Sequence, residues 1–154
     1  MLTLVKPTRE QLSFRQQLLA DEATMAYNHS WGGTIDFPEE RWRDWYEHWV
    51  ELPQKCFYRY LYVRETDTCV GEVSYHYDAK YKKYLADVIV MDRYRRNGYG
   101  REGLELLCQA AKEQGLTELC DNIAPDNPAI RLFTQLGFVE LWRDEECIML
   151  EKKF

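Results

Sequence analysis

Long apolar runs are missing from this chain. None reaches the about 18 residues that a membrane-spanning helix needs, so no membrane anchor is expected. Paired cysteines are missing too. Cys56, Cys69, Cys108, Cys120 and Cys147 are odd in number, widely spaced and never in a CxxC arrangement. That excludes a zinc ribbon or a dithiol motif and predicts reduced core thiols in a cytoplasmic protein. Histidine is scarce: His29, His48 and His76 lie far apart without ligand spacing, so no metal is expected. An excess of positive charge is absent as well. Twenty Lys and Arg stand against 26 Asp and Glu, a net charge of -6. Nucleic-acid binders carry a basic footprint, so nucleic acid is not an expected partner, whereas a small cation is compatible. The opening MLTLVKPTRE has no basic start followed by an apolar core and a small-residue cleavage site, so no secretory signal is expected.

What is present fits one domain spanning residues 1–154. A chain of this length buries about two thirds of its unfolded surface without help from metal or disulfide. Thr8 to Ala20 reads as a helix, with Thr8 and Gln11 as a capping box. Asn28 to Asp36 (NHSWGGTID) reads as a loop. A second helix starts near Pro38 and carries Trp42, Trp45, Tyr46 and Trp49 at i, i+3, i+4 and i+7, a packing stripe. Phe57–Val63 and Cys69–Tyr77 read as a hairpin, and Tyr84–Met91 as a buried strand. A helix after Gly98 buries Leu104, Leu107, Cys108 and Ala111 and ends at Gly115. Leu116–Cys120 is a short strand. Asn127 and Pro128 open a helix with the face Ala129, Leu132, Phe133 and Leu136, which Gly137 stops. Phe138–Trp142 and Cys147–Leu150 close the chain as strands. Two helices, a meander of strands and a βαβ-like unit make one mixed α/β (α+β) domain.

The segment YRRNGYG (Tyr94 to Gly100) lies between a strand and a helix, which is phosphate-binding geometry. Taken literally, Gly98 to Gly103 matches G-x-G-x-x-G, and Glu118 and Asp121 follow about 20 residues on, as a dinucleotide fold requires. Against an NAD(P) site stand the polar stretch Asp92 to Asn97 before the first glycine and the lack of a second mononucleotide half. No Gly-Lys-Ser/Thr follows, which excludes a P-loop.

Arg95 to Gly100 has the form Arg/Gln-x-x-Gly-x-Gly/Ala, and Ala124 to Phe138 (APDNPAIRLFTQLGF) matches N-x-x-A-x-x-L-Y-x-x-x-G-F at Ala129, Leu132, Gly137 and Phe138. With both motifs in this order, the chain resembles the GNAT family of N-acetyltransferases. The resemblance is sharp from about Gly71 to Phe138. It implies a mixed central sheet flanked by helices, with a splayed strand pair at the acyl-CoA site. It implies direct transfer of acetyl from acetyl-CoA to a primary amine of a small molecule (a polyamine, an aminoglycoside-like amine, an amino acid) or of a protein N-terminus. It is also compatible with a homodimer.

The resemblance assigns the CoA pyrophosphate to the loop of Arg95, Arg96, Asn97, Gly98, Tyr99 and Gly100. It assigns the pantetheine arm to the main chain of Val88, Ile89 and Val90, with the Val90 N–H as oxyanion donor. The family tyrosine beside the CoA sulfur falls on Phe133, seven residues after Asp126, with Asn127 next to it; which of the two takes the asparagine's place stays open. Phe133 has no proton to give. That motivates a second reading, a CoA-binding regulatory module without catalysis. Glu72, His76 and Asp87 are the candidate bases, Asp87 being an acid inside an apolar strand. Trp31 and Asp36 are candidate contacts to a cationic acceptor.

Overall fold

The computed structural model describes residues 1–154. Seven strands form one sheet in the order β1-β2-β3-β4-β5-β7-β6. The strands are β1 (Leu2–Val5), β2 (Cys56–Val63), β3 (Thr68–Asp78), β4 (Lys83–Val90), β5 (Glu118–Ile123), β6 (Val139–Arg143) and β7 (Ile148–Lys153). All neighbours are antiparallel except β4 and β5, which run parallel.

The helices are α1 (Leu12–Ala20), α2 (Glu22–Met25), α3 (Trp42–Tyr46), α4 (Tyr99–Glu113) and α5 (Ala129–Gln135). The expected capping box forms ahead of α1. Thr8 N–H donates to Gln11 Oε1 at 2.8 Å and Gln11 N–H to Thr8 Oγ1 at 3.3 Å. α4 buries Leu104, Leu107, Cys108 and Ala111 as its periodicity demands. Its end is a Schellman turn: Leu116 N–H reaches back to Ala111 O past Gly115, whose φ is 91°.

Side chains alternate across the sheet and build two cores. Leu61, Val73, Tyr75, Ala86 and Val90 pack with α4 and with Phe133 and Phe138. On the other face Ile89 and Met91 pack with Leu12, Leu18, Met25 and Trp42. The seven-stranded mixed sheet disposes of the dinucleotide reading, which needs a doubly wound parallel sheet.

Several elements differ from expectation: α2 has no counterpart in it, a 3₁₀ helix over Ala26–Trp31 takes in the start of the expected Asn28–Asp36 loop, and β7 runs on to Lys153. The sequence gives no signal for β1, a four-residue strand at one sheet edge. The tryptophan-rich helix is broken into a 3₁₀ turn (Glu39–Arg41), α3 and a π turn (Glu47–Glu51). β5 runs to Ile123 rather than stopping at Cys120. Its extension contains the polar pair Asp121 and Asn122, which turns out to sit at the functional end of the strand.

Candidate active site

The two central parallel strands touch only near one end. β4 and β5 share a single registered pair, Leu85 with Cys120. Beyond it they diverge and leave a gap. The backbone pattern of β4 then becomes decisive. Met91 N–H donates to Val70 O, so in the antiparallel register the pairs 71–90 and 73–88 are the non-hydrogen-bonded ones. Val88 and Val90 therefore turn their N–H and C=O groups away from β3, toward the β5 side where the gap lies. Apart from the Val90 C=O, which Arg95 holds, the unspent backbone there is a template for a strand-like ligand.

The gap opens into a cavity of about 720 Å³. At one end Arg96, Gly98, Tyr99 and Gly100 line it, at the N-terminus of α4. Gly98 holds φ at 80°, a conformation that favours glycine, and caps the helix so that free N–H groups face the cavity. Gly100 keeps the wall low; a Cβ there would meet Leu132 at 3.4 Å.

Arg95 is committed elsewhere. Its Nε donates to Val90 O at 3.1 Å and its Nη2 to Thr24 O at 2.8 Å. It ties the loop to β4 and to α2, and it leaves Arg96 as the arginine without a hydrogen-bonded partner. Asn97 also serves the loop, its Nδ2 donating to Tyr94 O and Arg95 O. Asn127 lines the cavity and accepts the Ala129 N–H on Oδ1 at 2.9 Å. Asp126 turns outward to His29 Nε2 at 2.8 Å. Phe133 is buried edge-on against Phe138, at 2% exposure, with one face on the cavity.

The other end is acidic. Glu72, Asp87 and Asp121 line it together with His76, Tyr27 and Trp31. Glu72 is fully engaged: Arg15 Nη1 donates to its two oxygens at 2.6 and 2.8 Å, and Tyr58 Oη donates to Oε2. Arg15 is caged by Phe37, Trp45 and Tyr58, with centroid distances of 5.0, 4.4 and 5.5 Å. Burial opposes its charge, and Glu72 together with Tyr58 more than offsets that.

Asp87 has no such partner. Its side chain is exposed to solvent through the cavity, yet protein crowds it on its other sides; the desolvation this causes, with Glu72 nearby, pushes it up to about 7. Arg15 and the Val88 N–H oppose the rise. Asp121 is raised well above the usual carboxylate range by burial first and by Asp87 second. The Tyr27 hydroxyl is raised by burial and by Asp87. His76 stacks edge-on against Trp49 at 5.9 Å.

The structure thus brings Glu72, His76, Asp87, Trp31 and the strand and loop residues to one cavity. It leaves out Asp36, Asn97 and Asp126. Asp36 is exposed, its carbonyl accepting from Arg41 at 3.4 Å. Arg15, Tyr27 and Asp121 were missed as site residues. Only Asp121 had a signal, a charge next to the apolar Leu116–Cys120 run. Outside the cavity Glu118, Cys120 and Glu151 cluster, and Lys83 Nζ already lies 3.3 and 3.0 Å from the two carboxylates. No helix is long and apolar enough to cross a membrane.

Comparison by sequence with curated proteins finds no match. Solved structures do match in fold. The spermidine N-acetyltransferase from Vibrio cholerae, in complex with CoA and spermine, superposes with a TM-score of 0.80 at 17% identity, over 99% of this chain and 95% of that one. A domain from Methanocaldococcus jannaschii gives 0.79 at 16%, over 100% and 99%. PaiA N-acetyltransferase from Thermoplasma acidophilum, in complex with coenzyme A, gives 0.73 at 14%, over 100% and 99%. The sequence model of the acetyltransferase (GNAT) family matches residues 18–138, most of the chain and all of the cavity's strand and loop framework. With that match and the splayed strands, the chain belongs to the GNAT acetyltransferase family.

Proposed function

We propose that this protein moves the acetyl group of acetyl-CoA directly to a primary amine of a small cationic acceptor. The observation that carries the reading is the outward-turned backbone of Val88 and Val90 along a gap that ends at the α4 N-terminus. A pantetheine arm has amides to pair with such a strand edge. Its pyrophosphate would meet the Gly98–Gly100 N–H groups and Arg96.

In this reading the acetyl carbonyl rests against the Val90 N–H, which stabilises the oxyanion as the amine attacks. The Val90 carbonyl, on the peptide unit that follows, is held by Arg95, which ties down the residue that carries the N–H. Asp87 takes the amine proton; with Glu72 neutralised by Arg15, it is the freer of the two carboxylates. The acidic end of the cavity supports a cationic acceptor, and the spermine held by a relative of the same fold makes polyamines the first candidates. Amino acids, aminoglycoside-like amines and a protein N-terminus are the other arms of the test.

The test is thiol release from acetyl-CoA with a panel of these amines. Turnover with one class identifies the acceptor. The second reading, a regulatory CoA-binding module, draws on Phe133 at the family's tyrosine position. Tight CoA binding without turnover on any amine would select it.

A further inference from the structure

The loop before α4 and the cavity wall that follows α2 are far apart in the chain, yet one residue joins them. Thr24 lies in α2 and is fully buried, at 0% exposure. The residues just after it, Met25, Tyr27 and Asn28, line the cavity. The Thr24 hydroxyl accepts the Asp92 N–H at 2.9 Å, where the chain leaves β4 for the loop. It donates its own proton to the Asp21 carboxylate, which also accepts the Thr24 N–H at 3.1 Å. The Thr24 carbonyl accepts Arg95 Nη2 at 2.8 Å, and the same guanidinium holds Val90 O. Met25 and Tyr94 pack in one apolar cluster alongside. α2 is only four residues long, too short to stand without such contacts.

We propose that Thr24 is a positioning residue that carries the state of the CoA loop to the acceptor wall, so that filling the loop with CoA orders the wall that receives the amine. The inference rests on the acetyltransferase reading above for the identity of the two ligands. Phosphate oxygens seated on the Gly98–Gly100 N–H groups and Arg96 immobilise the loop. The Asp92 N–H and the Arg95 guanidinium are then fixed in place, and they hold Thr24 at its hydroxyl and at its carbonyl. What orders Thr24 orders the short helix around it, and with it Met25, Tyr27 and Asn28. The coupling is reciprocal: an amine resting on the ordered wall tightens CoA by the same factor.

The experiment measures backbone hydrogen exchange with and without CoA in wild type, Thr24→Val and Thr24→Ser. Valine keeps the shape and removes the hydroxyl; serine restores it. In wild type, CoA is expected to slow exchange both in residues 95–100 and in residues 22–31. Thr24→Val keeps the first effect and loses the second, and Thr24→Ser regains it. With an amine that wild type acetylates, spermine being tried first, Thr24→Val raises the amine KM by about 5-fold or more and leaves the CoA Kd of the amine-free protein unchanged. Protection of residues 22–31 by CoA that persists in Thr24→Val overturns the proposal, because CoA then reaches the wall by another route. So does its absence in wild type. A merely structural role lowers the thermal midpoint and leaves CoA protection of the wall intact, which also overturns it. If Thr24→Val does not fold, Asp92 decides from the other side. Asp92→Pro removes the N–H that the hydroxyl accepts, and Asp92→Ala keeps it; Met91 ahead of it has ψ 134°, which suits a following proline. Wall protection lost with proline and kept with alanine upholds the proposal, and the same result in both overturns it. Exchange with CoA needs no amine, so a lack of turnover on every amine is a separate failure, that of the acetyltransferase reading itself.

Discussion

Arg95 Nε donates to the carbonyl oxygen of Val90 at 3.1 Å, so the loop that precedes α4 is pinned to the strand edge it serves. The same guanidinium reaches Thr24 O at 2.8 Å on α2. One side chain thus ties together the loop, the strand edge and the helical segment that carries Tyr27.

Substituting the two arginines separates their roles. Arg95→Ala leaves two carbonyls without a donor and is expected to cost about 1–3 kcal/mol of stability. Arg96→Ala removes no hydrogen bond; it is expected to leave the thermal midpoint unchanged and to weaken CoA binding, with a reduced salt dependence. Thermal unfolding and CoA titration at two ionic strengths check both.

Gly71 sets how closely β3 and β4 approach beside the gap. A Cβ at this position would lie 2.1 Å from the Ile89 carbonyl oxygen, which is backbone and cannot step aside. Gly71→Ala is expected to cost more than about 2 kcal/mol and to lower CoA affinity with it. At Gly103 the added Cβ would meet the Leu61 side chain at 2.9 Å, and a leucine end can turn. Gly103→Ala is therefore the milder of the two, in urea melts run side by side.

The sequence made the scaffold of this site visible because apolar periodicity and glycine turns are local. The α4 face, the hairpin of β2 and β3 and the GNAT-like loop all come from such short-range signals. The acidic end was harder to see. Asp121 breaks the hydrophobic pattern of β5, so pattern reading ended the strand at Cys120. Arg15 looks like an ordinary surface arginine on α1 until the fold brings Glu72 and Tyr58 to it. Arg95 was legible as part of the loop signature, but its partners Val90 and Thr24 were not, since the Thr24 contact spans 71 residues.

The Arg15–Glu72 pair gives a stability prediction of its own. Both groups are largely buried, with side chains 15% and 4% exposed. Glu72→Gln leaves the guanidinium without its counter-charge inside an aromatic cage, and is expected to cost about 3–5 kcal/mol. Replacing both partners, Arg15→Met with Glu72→Met, removes the stranded charge and is expected to recover most of that loss. A double-mutant cycle from denaturant melts measures the coupling.

Asp87 ties stability and rate to pH with opposite signs. Its carboxyl moves from an ordinary value of 3.8 in the unfolded chain to about 7 in the fold. Between those values the folded protein holds a proton that the unfolded chain releases. This contribution to stability is therefore complete below about 3.8 and is lost as pH rises to about 7. A base, however, works only when ionised, so kcat/KM is expected to rise with pH through about 7. Asp87→Asn should flatten the stability slope in this window, lower kcat/KM by about 10²–10⁴ and remove the inflection. Thermal midpoints of the ligand-free protein and initial rates of thiol release, both measured from pH about 4 to about 9 to bracket the titration, test the two signs in one protein. An Asn variant with wild-type rates and the same inflection would leave His76 as the remaining unpaired base candidate in the cavity.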